Sequence, residues 1–170
     1  MSEPSSAPDQ SAAGVPSGPS LTGLPGVLGI DHLGIAVADL EAAVAFHTEV
    51  LGLSEVHREN NPDQGVREVM LAPADRVQAQ VQLLAPLTEE SVLGRFLSRR
   101  GPGLHHVAYA VADLAAASDV LRRRGIRLIY AVPRAGTRGS SINFLHPSDT
   151  GGVLIELVQQ VDPIGTAAGR

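Results

Sequence analysis

Apolar positions fall along the chain in two matching sets. The stretch from Leu28 to Val37 is mostly apolar and reads as a strand. Asp39 stands where an N-cap belongs, so a helix is expected from there to about Val50, with Gly52 placed to end it. Short β-like runs follow near 53–58, 66–72 and 79–85. A second helix is expected over Thr88–Arg100, before the break at Gly101-Pro102-Gly103. Then the pattern begins again. His32-Leu-Gly-Ile-Ala-Val-Ala-Asp-Leu40 matches His106-Val-Ala-Tyr-Ala-Val-Ala-Asp-Leu114 at an offset of 74 residues. Eight of the fourteen positions in 30–43 are identical to their partners in 104–117. The same offset carries Leu71, Pro73, Asp75 and Leu83 onto Leu145, Pro147, Asp149 and Leu157. One ungapped spacing that aligns the start, middle and end of both halves is a duplication. The expected fold class is α+β: two tandem βαβββ modules, about 27–100 and 103–160, forming one curled mixed sheet around a shared cleft.

The ends of the 170-residue chain read differently. Residues 1–26 hold five Pro, six Ser and no Lys or Arg, and are expected to be a disordered tail; 161–170 are expected to be a flexible one. There is no Cys, which excludes a disulfide scaffold, a thiol nucleophile and a Cys-ligated metal site. No apolar run is long enough to span a bilayer, and the N-terminus lacks the basic start and apolar stretch of a signal peptide. A cytoplasmic location without membrane contact is expected. Net charge is −5, with only three Phe, two Tyr and no Trp, which argues against a nucleic-acid partner. Every basic residue is Arg, and the runs Arg99-Arg100 and Arg122–Arg124 read as solvated helix ends.

Four polar residues interrupt the apolar strands. His32 and His106 are repeat partners, and so are Gln82, inside Val81-Gln-Leu-Leu84, and Glu156, inside Val153-Leu-Ile-Glu-Leu-Val158. Buried polar groups without partners are costly. Two symmetry-related pairs on inward strand faces therefore point to one shared partner, a divalent metal, with His32, Gln82, His106 and Glu156 as its ligands. The N/O donor set suits Co²⁺, Ni²⁺, Mn²⁺, Zn²⁺ or Fe²⁺. Four ligands on a six-coordinate ion leave positions for a substrate. Simple strand alternation places His105 and His106 on opposite faces, and the repeat selects His106. Glu68 lies in a third strand where the other half has Ile142, a carboxylate available to the cleft. His47 and His57 read as surface residues, while Asn143 and His146 are weak candidates for the substrate side of the cleft.

These motifs resemble the vicinal oxygen chelate superfamily and, within it, the methylmalonyl-CoA epimerases, over about Leu28 to Gln159. The resemblance rests on Ile30-Asp-His32-Leu-Gly-Ile-Ala-Val, on the stretch from His57 to Glu68, on Gln80-Val-Gln82-Leu-Leu-Ala-Pro, on Gly103-Leu-His-His106-Val-Ala and on Gly152-Val-Leu-Ile-Glu156-Leu. It implies a metal-dependent epimerase acting on methylmalonyl-CoA, with Co²⁺ the favoured ion and a homodimeric assembly. In that reading C2 loses a proton, an enolate forms whose charge the metal offsets, and a proton returns on the opposite face. Glu68 and Glu156 would be the proton-transfer residues, with Glu156 also a ligand and therefore the weaker base. A glyoxalase-like lyase and a metal-free binding module of the same superfamily are the competing readings. The range of 2-substituted malonyl thioesters stays open at this point, as do the contacts to CoA phosphates, for which Arg99, Arg100, Arg122–Arg124 and Arg127 are all available.

Overall fold

The computed structural model describes residues 23–24, 26–74 and 79–161. Most of the expected N-terminal tail, Asp75 and residues 162–170 lie outside the described residues. The elements are β1 (Val27–Ala36), α1 (Leu40–Ala45), β2 (Ser54–Asn61), β3 (Val66–Ala72), β4 (Gln80–Pro86), α2 (Val92–Arg100), β5 (Gly103–Val111), α3 (Leu114–Arg123), β6 (Arg134–Ala135), β7 (Ser141–Leu145) and β8 (Leu154–Gln159). They form one curled mixed sheet of eight strands in the order β2-β3-β4-β1-β5-β8-β7-β6.

The duplication governs the pairing. β1 runs parallel to β4 and β5 parallel to β8, while β1 and β5 meet antiparallel at the centre. The repeat partners Leu33 and Val107 face each other across that central pair, so the pseudo-twofold axis passes between them. Asp39 and Asp113 cap α1 and α3 alike, accepting from the amides of Ala42 at 3.0 Å and Ala116 at 2.8 Å. One face of the sheet is sealed by these helices. Leu40 and Val44 pack on Val69, Leu71 and Leu83, and Leu114 and Leu121 pack on Leu145 and Leu157. On the other face α2 seats Leu93 against Ala36, Val66 and Leu84. The rest of that second face carries the polar residues.

Two elements depart from the sequence expectation. The first helix ends at Ala45 and continues as a wide π-turn over Phe46–Val50. There the His47 ring donates to the carbonyl of Ala43 and the Thr48 hydroxyl to that of Val44, and such side-chain donors compete for carbonyls that a regular helix uses. In the second module, the strand that should match β2 is reduced to a bridge from Leu128 to Leu145 and the two residues of β6. The Asn143 side chain takes over part of the missing ladder, accepting from the amide of Tyr130 and donating to its carbonyl.

Candidate metal centre and active site

Strand register brings the polar residues together. On the helix-free part of the sheet one row of neighbours runs Met70, Gln82, Gly34, His106, Leu154, and a second runs Phe144, Glu156, Ala108, His32, Gln80. The rows are images of each other under the repeat. Each histidine therefore lies one strand away from a small residue, and one strand further on stands Gln82 or Glu156.

His32 Nε2 and His106 Nε2 are 3.1 Å apart, and Glu156 Oε2 is 3.3 Å from the first and 3.0 Å from the second. All three residues are buried. Donor atoms about 2.1 Å from a common centre are separated by about 3.0 Å at right angles and about 3.4 Å at tetrahedral angles. The observed triangle falls in that interval, so one ion fits all three atoms. Gln82 supplies a further test. Its Nε2 donates to Glu68 Oε2 at 2.8 Å and to Thr137 Oγ1 at 3.1 Å, while its Oε1 is buried without a hydrogen-bond partner. A buried, unpartnered amide oxygen on the same register row as His106 is a donor that a divalent cation would satisfy.

Electrostatics point the same way. Burial opposes a charged His32, yet hydrogen bonds to Asp31 and Glu156 and the charge of both carboxylates push it up to about 9. Glu156 is likewise opposed by burial, and the two imidazoles nevertheless hold it down at about 2. The cluster is thus arranged to keep one positive charge among its donors, whether that charge is a proton or a metal ion.

Two residues that strand alternation turns away hold the ligand imidazoles in place. Asp31 Oδ1 lies 2.7 Å from His32 Nδ1, and Gln160 donates to its Oδ2. Its repeat partner His105 has Nδ1 3.0 Å from Nδ1 of His106. Simple alternation would turn both residues away, but the β1–β5 register skips one residue at Asp31 and another at His105. These two bulges re-aim the side chains onto the neighbouring ligand. Burial first, and then the neighbouring His106, lower His105 to about 4, so it is neutral and can accept from His106 Nδ1. Each ligand imidazole thereby keeps Nε2 free for an ion. Asp31→Asn is expected to weaken divalent-ion affinity by about 10- to 100-fold with the fold intact, as measured by calorimetric titration of the metal-free protein.

Gly34 has a steric reason. A Cβ there would stand 2.1 Å from Cε1 of His106 and 2.6 Å from its Nε2, so the ring occupies the space above the glycine. In Gly34→Ala the imidazole must move off the triangle, and ion affinity should fall by about tenfold or more. Unchanged affinity in that variant would show that the ring position is not what holds the ion.

Glu68 is buried on β3, 1% exposed. Thr137 donates to its Oε1 at 2.7 Å and Gln82 to its Oε2. Burial, acting against the Thr137 hydrogen bond and reinforced by Glu59 and Glu156, raises it to about 7. The weak candidates fare differently. Asn143 lies on the strand face opposite Phe144, whose ring packs on His106, and both ends of its amide are taken by backbone. Its geometry is that of a loop clamp. His146 caps the turn 147–149 by accepting from the amide of Ser148. His57 is partly exposed and paired with Glu59. Of the arginines, Arg127 pairs with Asp149 and Arg122 with Asp119. Arg100 borders a cavity of about 300 Å³ that also touches Phe96 and His105.

Comparison with known proteins adds four findings. Residues 31–144 match the family described as Glyoxalase/Bleomycin resistance protein/Dioxygenase superfamily. The chain is 37% identical over 132 residues to the ethylmalonyl-CoA/methylmalonyl-CoA epimerase of Cereibacter sphaeroides, covering 76% of this chain and 96% of that protein. It superimposes on the crystal structure of methylmalonyl-CoA epimerase from Mycobacterium tuberculosis with a TM-score of 0.76 and 52% identity, covering 80% of this chain and 90% of that one. A methylmalonyl-CoA epimerase solved in complex with methylmalonyl-CoA and NH4+ aligns with a TM-score of 0.75 at 43% identity, covering 79% and 96% of the two chains.

Proposed function

The chain belongs to the methylmalonyl-CoA epimerases of the glyoxalase/bleomycin resistance protein/dioxygenase superfamily, and from that membership we propose that it interconverts the two C2 epimers of methylmalonyl-CoA. The observation that carries this reading is the Gln82 amide, which stands on the same register row as His106, donates to the buried carboxyl of Glu68 and leaves its own oxygen without a partner. A base and a charge-stabilising centre are thereby adjoined, as proton removal next to a carbonyl requires.

C2 of the substrate lies between a thioester and a carboxylate, and its hydrogen is only weakly acidic. When bound, a divalent ion held by His32, Gln82, His106 and Glu156 supplies Lewis acidity to the charge that develops on the substrate. Glu68 is the group we assign to take the proton. Its carboxyl is outside the imidazole triangle, and a proton affinity near neutrality suits a base that must both accept and release. Thr137 and Gln82 each hold one oxygen, which fixes the plane of the carboxyl.

Inversion needs a second proton-transfer group on the opposite face, and we assign this to Glu156, from the other module. Both imidazoles meet it through Oε2, so Oε1 stands outside the triangle, and the residue lines a small cavity together with Asp31, Thr137 and Arg138. We favour Co²⁺ as the ion. A homodimer is supported by the exposed apolar side chains of Leu28, Ile30 and Leu104 on the central strands. A cytoplasmic location is part of the same proposal; among the described residues no helix is long and apolar enough to cross a membrane.

The test is direct. Purified protein given one epimer of methylmalonyl-CoA should bring it to the equilibrium mixture, and should leave a glutathione hemithioacetal untouched. Consumption of the hemithioacetal without epimerisation would move the chain to the lyases of the superfamily.

A further inference from the structure

An epimerase with different groups on its two faces finishes each turnover in the wrong protonation state. The base has gained a proton and the opposite acid has lost one, so both must exchange with solvent before the next substrate. For Glu68 this exchange is obstructed, because the residue is 1% exposed. Its two direct hydrogen-bond donors, the Thr137 hydroxyl and the Gln82 amide, are not acids that can carry a proton away at neutral pH.

A path exists on the other side. Glu59 stands directly opposite Glu68 in the antiparallel pairing of β2 and β3. Directly opposed side chains leave the same face of a sheet about 5 Å apart, so the two carboxyls are neighbours. Two residues earlier on the same strand, His57 Nε2 lies 2.5 Å from Glu59 Oε2. Both of these side chains are 29% exposed, so the chain of groups runs from a sealed carboxyl to the surface in two steps.

We propose that Glu59 and His57 form the proton path that resets Glu68 between turnovers, a role that rests on Glu68 being the base. The O–H bond of Glu68 breaks as a new O–H bond forms on Glu59. Glu59 passes its proton to Nε2 of His57, and the ring releases the proton on Nδ1 to water. One proton leaves by this path for each one that solvent returns to the acid on the opposite face, and no electrons are transferred. Neither residue touches the substrate, so both are positioning and relay groups.

The test uses Glu59→Gln and His57→Phe in the metal-loaded full chain. The rate of the first turnover, measured by rapid quench with enzyme in excess, should match that of the wild type. Steady-state turnover should fall by about tenfold or more. Millimolar imidazole should restore it, as a small mobile buffer replaces a missing relay. Wild-type turnover in both variants would overturn the path. So would an equal loss in first and later turnovers that imidazole does not relieve, since that is the signature of a group that only shapes the site. A wild-type first turnover in Glu68→Gln would instead remove the base assignment itself, and with it the premise.

Discussion

Removal of the divalent ion by a chelator is expected to lower epimerase activity by about a thousandfold or more, with recovery on adding Co²⁺. His106→Ala should reproduce the loss without recovery, because it deletes one corner of the donor triangle. Metal content of the purified variant checks the cause, and full occupancy in active His106→Ala would refute its ligation. The metal-free cluster makes a second, quantitative statement. His32 is pushed up to about 9, above the 6.5 of a free imidazole, so between these values the empty site still holds a proton. An ion must displace it. Binding should therefore release a proton below about pH 9, and affinity should rise with pH up to that point. Calorimetry in buffers of different ionisation enthalpy measures the proton directly. The sign also applies to folding. The raised group stabilises the metal-free protein fully below pH 6.5 and loses that contribution as pH climbs through about 9.

The second large effect concerns Glu68. Glu68→Gln should retain metal and fold while losing about 10²- to 10⁴-fold in rate. The substitution preserves shape and still accepts from Thr137 at its oxygen, while its new NH2 faces the Gln82 amide donor, which must turn away; metal content is therefore measured alongside the rate. What it removes is the ability to bind the C2 proton. With Glu68 near 7, protonation at lower pH should switch the wild type off, and kcat/KM should fall as pH drops through neutrality. A variant that turns over at the wild-type rate would show that another group is the base.

Much of this was legible in the chain because the duplication repeats chemistry as well as hydrophobicity. His32 with His106, and Gln82 with Glu156, are recognisable as pairs only under the 74-residue offset. The sheet then places them on two register rows related about the Leu33–Val107 axis. Glu68 was visible for the opposite reason, as a carboxylate where the repeat has Ile142. The unseen parts share one cause, which is that they depend on local breaks in regular strand geometry. The bulges at Asp31 and His105 reverse the face that alternation assigns, and no spacing rule anticipates a skipped residue. The shortened β6 allows the turn 137–139 to bring Thr137 onto Glu68 from the other module. His57 reads as a surface residue, and Glu59 draws no notice, until the pairing of β2 with β3 sets Glu59 against a buried carboxyl.

The central claim is that the ion and Glu68 together remove the C2 proton of methylmalonyl-CoA. Exchange of that hydrogen with deuterated solvent, followed by mass spectrometry with and without chelator and with Co²⁺ restored, tests it most directly. The account predicts exchange that requires the ion and keeps pace with epimer interconversion. Folded, metal-loaded protein that leaves the hydrogen in place would contradict it.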